Sequence, residues 1–423
     1  MDTEKHKGRR RFLKAAACAG AGGICSSALG AMPKNYDEPE ATDEMRRKAL
    51  EGSLPRRPLG ATGEELTIVG FGGYHLLEVS PEKAEKLLNF YLDAGGNFIE
   101  TAIAYGDGES ERKIGRVMQH RRRECFLSTK TPARTQQKAA KHIQRSLENL
   151  NTDWLDNLFM HNVASHEDLD RIMAEDGALR AAENARRRGE VRHISITGHD
   201  PHVLLRAVKS YPFDFIMEWI NYYDYFNFPI IYDELLPDCR QRDIGIVAMK
   251  PVADGLLYRP ESARNAFRWV WSQPGVTSAA TGNNTMYQLA SNLALAKDLV
   301  PMAAEEKQKL YREAPELSNY VCRRCGECVP NGLDLDIPRI FGLEAYYDRQ
   351  MRPGPVMDLP DEWLRKRLSH WFHNEDYAQE QYSKLDTKVS EDTDATGVEE
   401  RCPYDLPIND KLHWVHKKLT GQD

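Results

Sequence analysis

Asn97–Gly115 reads NFIETAIAYGDGESERKIG, and the order of residue types in it decides how the rest of the chain is read. Two apolar residues, Phe98 and Ile99, lead into a carboxylate at Glu100. A glycine-broken loop carrying Tyr105 follows, and a helical pattern opens at Ser110. This is a strand, a loop and a helix with ionisable side chains where the strand stops. In a closed α/β barrel the strand ends and their following loops form the face that carries chemistry.

The same unit recurs along the chain. RPLGATGEELTIVGFGG from Arg57 predicts a glycine-broken hairpin and a first buried strand around Ile68 to Phe71. Ser80, Pro81 and Glu82 announce the next helix as a cap, a helix-start proline and an acid. CFLSTK, LDNLFMHN, VRHISITG, FDFIMEWIN, IGIVAMKP and VTSAATGN follow, each before an amphipathic stretch. Eight strand–helix pairs over roughly 230 residues imply a (β/α)8 TIM barrel rather than a doubly wound sheet, with boundaries near 57 and 300. No GxGxxG follows the first strand, which argues further against a Rossmann fold.

A barrel of this kind brings Glu100, Tyr105, Lys130 and His161 to one mouth, at or just after the ends of strands two to four. A lysine ammonium beside a tyrosine is expected to favour the phenolate, and a carboxylate beside the lysine fixes it in place. A histidine then orients a substrate carbonyl. Each residue alone is as readily a surface or core residue, whereas the four in this order suit carbonyl reduction, with the tyrosine giving a proton to the developing alkoxide. From about Pro58 to Lys297 the chain resembles the aldo-keto reductases, whose tetrad is Asp, Tyr, Lys and His. The acid here is Glu100, and its extra methylene implies a shift of about an ångström in the Lys130 contact, enough to alter the rate.

The resemblance also implies a nicotinamide cofactor, NADP by default with NAD open, because Gln288 stands where the family has a phosphate-gripping arginine. Strand five ends as Thr197, Gly198 and His199, where many members of the family have a Ser-Asn pair holding the nicotinamide amide. Asn221 and Tyr222 end strand six, with the tyrosine either stacking on the ring or packing. Lys250, Pro251 and Gly255 resemble the loop over the pyrophosphate. Gly282, Asn283 and Asn284 open a helix whose free N–H groups favour phosphate.

Beyond the barrel, Cys322, Cys325 and Cys328 show the C-x2-C-x2-C spacing of bacterial ferredoxins, with Gly332 where the fourth cysteine belongs. Cys402-Pro403 keeps only the last ligand of a second such run. One complete set of four remains, which predicts a [4Fe-4S] cluster in a C-terminal α-helical, ferredoxin-like domain over 301–423. A four-cysteine zinc site and disulfides are the alternatives. Residues 322–328 and the CPYDLPI stretch from Cys402 resemble an aldo-keto reductase branch that carries such a domain. Cys125 and Cys239 read as inert buried thiols. Trp363, Trp371, Phe372, Tyr377 and Tyr382 read as packing residues.

Residues 1–31 stand apart. Arg9, Arg10, Arg11, Phe12, Leu13 and Lys14 precede a weak Ala/Gly-rich run, which resembles a twin-arginine export signal, an ordinary secretory signal being the alternative. Such export carries folded proteins and implies a periplasmic location and a cofactor taken up beforehand. Residues 32–56 read as a linker. The net charge of -7 is spread over both signs and points to no nucleic-acid surface, and no stretch is apolar enough to span a membrane. The partners implied are a small carbonyl or alcohol substrate and an electron-transfer partner for the cluster. A non-catalytic cofactor-binding or electron-carrier subunit that kept the barrel is the competing reading.

Overall fold

In the computed structural model the described residues are 40–255, 257, 260–314, 317, 321–329, 332–349 and 377–421. The export signal, the first part of the linker and Trp363, Trp371 and Phe372 lie outside them. Strands β3 (Val69–Gly72), β4 (Phe98–Glu100), β5 (Phe126–Thr131), β6 (Leu155–Met160), β7 (Val191–Thr197), β8 (Phe215–Trp219), β9 (Gly245–Met249) and β10 (Val276–Gly282) close into one parallel barrel, with β10 hydrogen-bonded back to β3. Ahead of it, β1 (Arg56–Pro58) and β2 (Glu65–Thr67) pair as an antiparallel hairpin across the floor.

Alternation along each strand sorts the side chains. Phe98, Phe126, Phe159, Phe215, Met217 and Val247 pack inside the barrel with Leu59 and Leu66 of the hairpin region. Residues of opposite parity meet the helices, where most of the buried apolar surface lies. Those helices are α2 (Pro81–Asp93), α3 (Glu109–Arg121), α4 (Gln136–Asn149), α5 (His166–Met173), α6 (Ala178–Arg187), α7 (Pro201–Ser210), α8 (Leu236–Gln241), α9 (Pro260–Trp271) and α10 (Met286–Lys297). Ser80 caps α2 by accepting the Lys83 N–H, with Pro81 opening the helix. Buried Tyr91 on α2 receives the Phe98 N–H and reaches the Val69 carbonyl, fastening that helix to β3 and β4.

Two departures from the sequence expectation are structural. Within the stretch read as a linker, α1 (Asp43–Leu50) is a helix capped by Thr42, and it buries Ala49. The segment read as the start of the second domain begins with α11 (Ala304–Glu313), which stays on the barrel: Arg268 pairs with Glu306, and the Trp269 indole donates to the Tyr311 hydroxyl at 2.8 Å. Beyond it come α12 (Ile337–Arg349), α13 (Tyr377–Ser383) and α14 (Ile408–Thr420). Buried Glu344 on α12 accepts from Lys411 and Lys418 of α14, which joins these helices at their centre. Among the described residues no helix is long and apolar enough to cross a membrane.

Candidate active site

Glu100 closes β4, Tyr105 stands in the loop after it, Lys130 lies at the end of β5, and His161 follows β6 directly. Lys130 is 2% exposed, and its three ammonium protons are all used. They go to the Glu100 carboxylate, to the Thr101 carbonyl at 2.9 Å and to the Tyr105 hydroxyl at 3.2 Å. His161 meets the Tyr105 ring edge-on at 5.7 Å, and Tyr74 meets it from another side at 5.1 Å. Tyr74, in the loop after β3, is a wall of this site that the sequence did not single out, because an aromatic in a loop carries no periodic signal.

The longer acid is accommodated by its neighbour. Gly72 is the register partner of Glu100. A Cβ at Gly72 would stand 3.2 Å from Glu100 Oε1 and 3.1 Å from the Thr281 carbonyl, so the carboxylate occupies space that a side chain would take. The contact with Lys130 is therefore kept.

The electrostatics correct one expectation. Burial raises the Tyr105 hydroxyl pKa above its usual value and outweighs the pull of Lys130, so the phenol form is favoured. Burial alone would lower Lys130, but Glu100 and Tyr105 more than offset it and hold the ammonium above its ordinary range. Burial, then Lys130 and Arg134, press His161 well below the usual histidine range, so its imidazole is neutral. Its Nδ1 has no hydrogen-bond partner among the described residues. The mouth thus holds a protonated tyrosine, a locked lysine and a neutral histidine, a set able to give one proton to an oxygen placed between Tyr105 and His161.

Residues 68–303 match the Aldo/keto reductase family. The chain belongs to the aldo/keto reductase family. A D-threo-aldose 1-dehydrogenase of Pseudomonas sp is 30% identical over 240 residues, covering 48% of this chain and 71% of that protein. The structure of the aldo-keto reductase AKR11C1 from Bacillus halodurans superposes with a TM-score of 0.54 at 23% identity, over 60% of this chain and 94% of that one. A Klebsiella pneumoniae aldo-keto reductase solved in complex with NADPH gives 0.51 at 21%, over 62% and 96%. These two structural likenesses are likenesses of fold.

On the cofactor side the reductase brings the named residues to the same mouth and uses several of them internally. Thr197 is buried, with its hydroxyl 4.0 Å from Met249 Sδ. Asn221 is fully buried; its amide donates to Asp224 and to the Lys250 carbonyl, and its oxygen accepts the Asp224 N–H. Tyr222 has no exposed surface. Both brace the wall of the mouth in this structure. Lys250 (φ 52°) turns the chain into the loop of Pro251 and Gly255, with its ammonium 5.8 Å from the Trp219 ring. Asn283 is buried, bonded to Thr281 and Asn292. Asn284 gives its backbone N–H to Gln288 and its amide to Glu78 at 2.5 Å. Gly282 lies against His75, where a Cβ would come within 2.0 Å of the imidazole. The loops after β3 and β10 are thereby tied together at the edge of the mouth.

The cysteine segment of the reductase sits near the loop after β8. Arg324 (φ 53°) and Gly326 (φ 81°) turn the chain between the cysteines, and the Arg324 N–H points at Cys322 Sγ, 3.4 Å away. Burial, then the charges of Cys328, Cys325 and Cys402, push the Cys322 thiol up to about 11, so the four sulfurs lie within one another's field. Arg323 donates to the carbonyls of Tyr311, Leu317 and Val321 and lies 4.7 Å from the Tyr404 ring. Among the described residues no three His, Cys, Asp or Glu side chains converge on a single metal ion. Cys125 and Cys239 are buried, and burial raises each thiol to about 12, as inert thiols require.

Proposed function

We propose that this chain is an exported NAD(P)-dependent aldo/keto reductase acting on a small carbonyl or alcohol and carrying one [4Fe-4S] cluster. The observation that carries the reductase part is the single ammonium of Lys130 held at once by Glu100, Thr101 and Tyr105. A bound nicotinamide would supply hydride to the carbonyl carbon. Tyr105 gives its proton to the carbonyl oxygen as charge develops there, and Lys130, in contact with the same oxygen atom of Tyr105, stabilises the phenolate left behind. Neutral His161 orients the carbonyl with an imidazole N–H. Glu100 holds Lys130 in position. The Lys250–Gly255 loop and the Gly282–Asn284 turn would hold the dinucleotide at the edge of the mouth, and an aldo-keto reductase of this fold from Klebsiella pneumoniae is one solved with NADPH.

For the cluster, the donor chemistry fits: Cys322, Cys325, Cys328 and Cys402 are the four thiols such a cluster takes. A zinc ion is the competing occupant, but four-cysteine zinc sites ordinarily draw on two separated cysteine pairs, whereas Cys322, Cys325 and Cys328 stand in tandem. The cluster would supply one-electron chemistry or a staple for a small domain. Arg323 spans both regions, lying in the fields of Cys322, Cys402 and Tyr223, which favours a cluster close to the β8 loop. Arg9 to Lys14 support export with cofactors already bound.

The deciding experiment is anaerobic purification from the exported fraction, followed by a visible spectrum, iron content and identification of nucleotide released on denaturation. About four irons per chain with retained NADP(H) is the expected result. Iron without nucleotide turns the barrel into a scaffold, and zinc in place of iron removes the electron-transfer half of the proposal.

A further inference from the structure

The interior of the barrel below Lys130 is unusual in its chemistry. Such interiors are ordinarily filled by layers of bulky branched side chains. Here Ser128, Asn157, Ser195 and Ser278 are fully buried among Phe98, Phe126, Phe159 and Phe215, and the Phe98 ring takes the space beside Gly70. Six buried polar atoms have no hydrogen-bond partner among the described residues: the hydroxyls of the three serines, both amide atoms of Asn157, and Nε2 of His193. Buried polar groups of folded proteins are almost always satisfied, and where no protein partner exists ordered water serves. Ordered water is the partner left to these six atoms.

Register places this site between the catalytic mouth and the floor. Glu100 pairs with Ser128 across β4 and β5, Ser128 with Asn157 across β5 and β6, and Asn157 with His193 across β6 and β7. Adjacent strands lie about 4.8 Å apart, and one water at about 2.8 Å from each neighbour covers that gap. At the far end the His193 ring stacks on Phe126, and its Nδ1 lies 3.2 Å from Asp214. Asp214 in turn lines a surface cleft of about 510 Å³ at the foot of the barrel, with Lys209, Tyr211 and Arg242.

We propose that waters held by Ser128, Asn157, Ser195 and Ser278 connect Glu100 to His193 and Asp214, giving the site a route for solvent protons that does not pass through the substrate mouth. The proton-delivery role rests on the reading of Tyr105 as proton donor; the water site does not. In reduction the Tyr105 O–H bond breaks and its proton goes to the substrate oxygen, while both electrons arrive with hydride from the nicotinamide reductant. Lys130 returns a proton to Tyr105, Glu100 and its water return one to Lys130, and each water gives one proton as it receives one. One solvent proton enters at His193 for each carbonyl reduced. Asn157 is a positioning residue here, offering a donor and an acceptor to flanking waters.

The test compares the full-length, cofactor-loaded protein with Asn157→Leu, and with Ser195→Ala and Ser278→Ala in case the leucine variant fails to fold. A high-resolution crystal structure and 17O relaxation of buried water report occupancy. Kinetics report kcat, KM and the solvent deuterium isotope effect. Expected are ordered waters from Glu100 to His193 in the parent and their loss in Asn157→Leu. That variant should lose roughly 10²-fold in kcat at unchanged KM, with a larger solvent isotope effect; the serine variants should lose their own waters and show the same change in smaller degree. A dry interior in the parent overturns the proposal, and so does a dry variant whose kcat and isotope effect match the parent. If the parent turns over no carbonyl, it is the reductase reading that fails; occupancy alone then decides the water site, a bridged chain upholding it and a dry barrel ending it.

Discussion

Tyr105 is held in its phenol form by burial, against the pull of Lys130, and this is the state a proton donor requires. Tyr105→Phe keeps the ring contacts to Tyr74 and His161 and removes the hydroxyl, so kcat should fall by about 10²–10⁴-fold, at a stability cost of about 1–3 kcal/mol for the Lys130 proton left without its acceptor. Steady-state kinetics on any accepted carbonyl checks this, and an unaltered kcat would remove Tyr105 from the chemistry. A second residue acts on stability. Glu218 is fully buried; its Oε1 accepts the Trp219 N–H, and its Oε2 has no hydrogen-bond partner among the described residues. Burial raises its pKa well above the carboxylate range. With the folded pKa raised, the unfolded chain releases this proton first, near pH 4.3, and stability is then lost with rising pH at up to about 1.4 kcal/mol per unit until the folded pKa is reached. Glu218→Gln keeps the bond from Trp219 and cannot ionise. It should therefore melt higher than the parent at pH 7 and coincide with it near pH 4, as thermal melts across that range would reveal.

At the scale of elements, β3 and β4 work as a pair. Gly72 leaves the space that the Glu100 carboxylate fills. Gly72→Ala should press on Glu100 and the Thr281 carbonyl and displace Lys130 by a fraction of an ångström, lowering kcat by up to about 10²-fold. Glu100→Asp alone should alter the rate by leaving the space unfilled, and the two together should lose less than their separate costs add up to. Strict additivity in that double-mutant cycle would break the link. The strands themselves were legible in the sequence, because a parallel strand buried on both faces reads as a short apolar run and the following helix repeats at 3.6 residues. Glu100, Lys130 and His161 were legible as ionisable groups ending such runs. Tyr74, Gly72 and the polar enclosure around Asn157 were not, since each gains its meaning from a neighbour across the barrel. Asn221 and Tyr222 were placed on the right loop, yet only packing shows that this loop uses them to hold itself together. Helix α1 went unread because eight mostly charged residues look like linker until Ala49 within them and Leu54 just beyond are seen packed.

Across the whole molecule, two kinds of attachment hold the C-terminal segment, and they respond differently to loss of a metal group. One is independent of the cysteines. Glu344 joins α12 to α14 through Lys411 and Lys418, Tyr382 bonds His416 at 2.8 Å, and Tyr346 reaches His202 of α7 at 3.2 Å while its ring meets Phe228 at 4.7 Å. The other runs through the turns at 322–328 and 402–405, where Arg323 lies over the Tyr404 ring and Arg401 donates to the Cys328 carbonyl at 3.4 Å, beside an exposed Arg324–Asp233 pair of 3.9 Å that is worth little in water. If the four cysteines hold a cluster, its iron–thiolate bonds are the main tie between those two turns, because free thiols offer one another only weak hydrogen bonds. Anaerobic removal of iron by a chelator should then speed amide exchange at 321–329 and 399–407, while α12, α14 and the barrel strands keep their protection. Carbonyl reduction with NADPH that survives the treatment would make the cluster a staple. Reduction that vanishes while barrel exchange stays constant would put the cluster in the electron path. Unchanged exchange at both cysteine turns would mean that no cluster joins them.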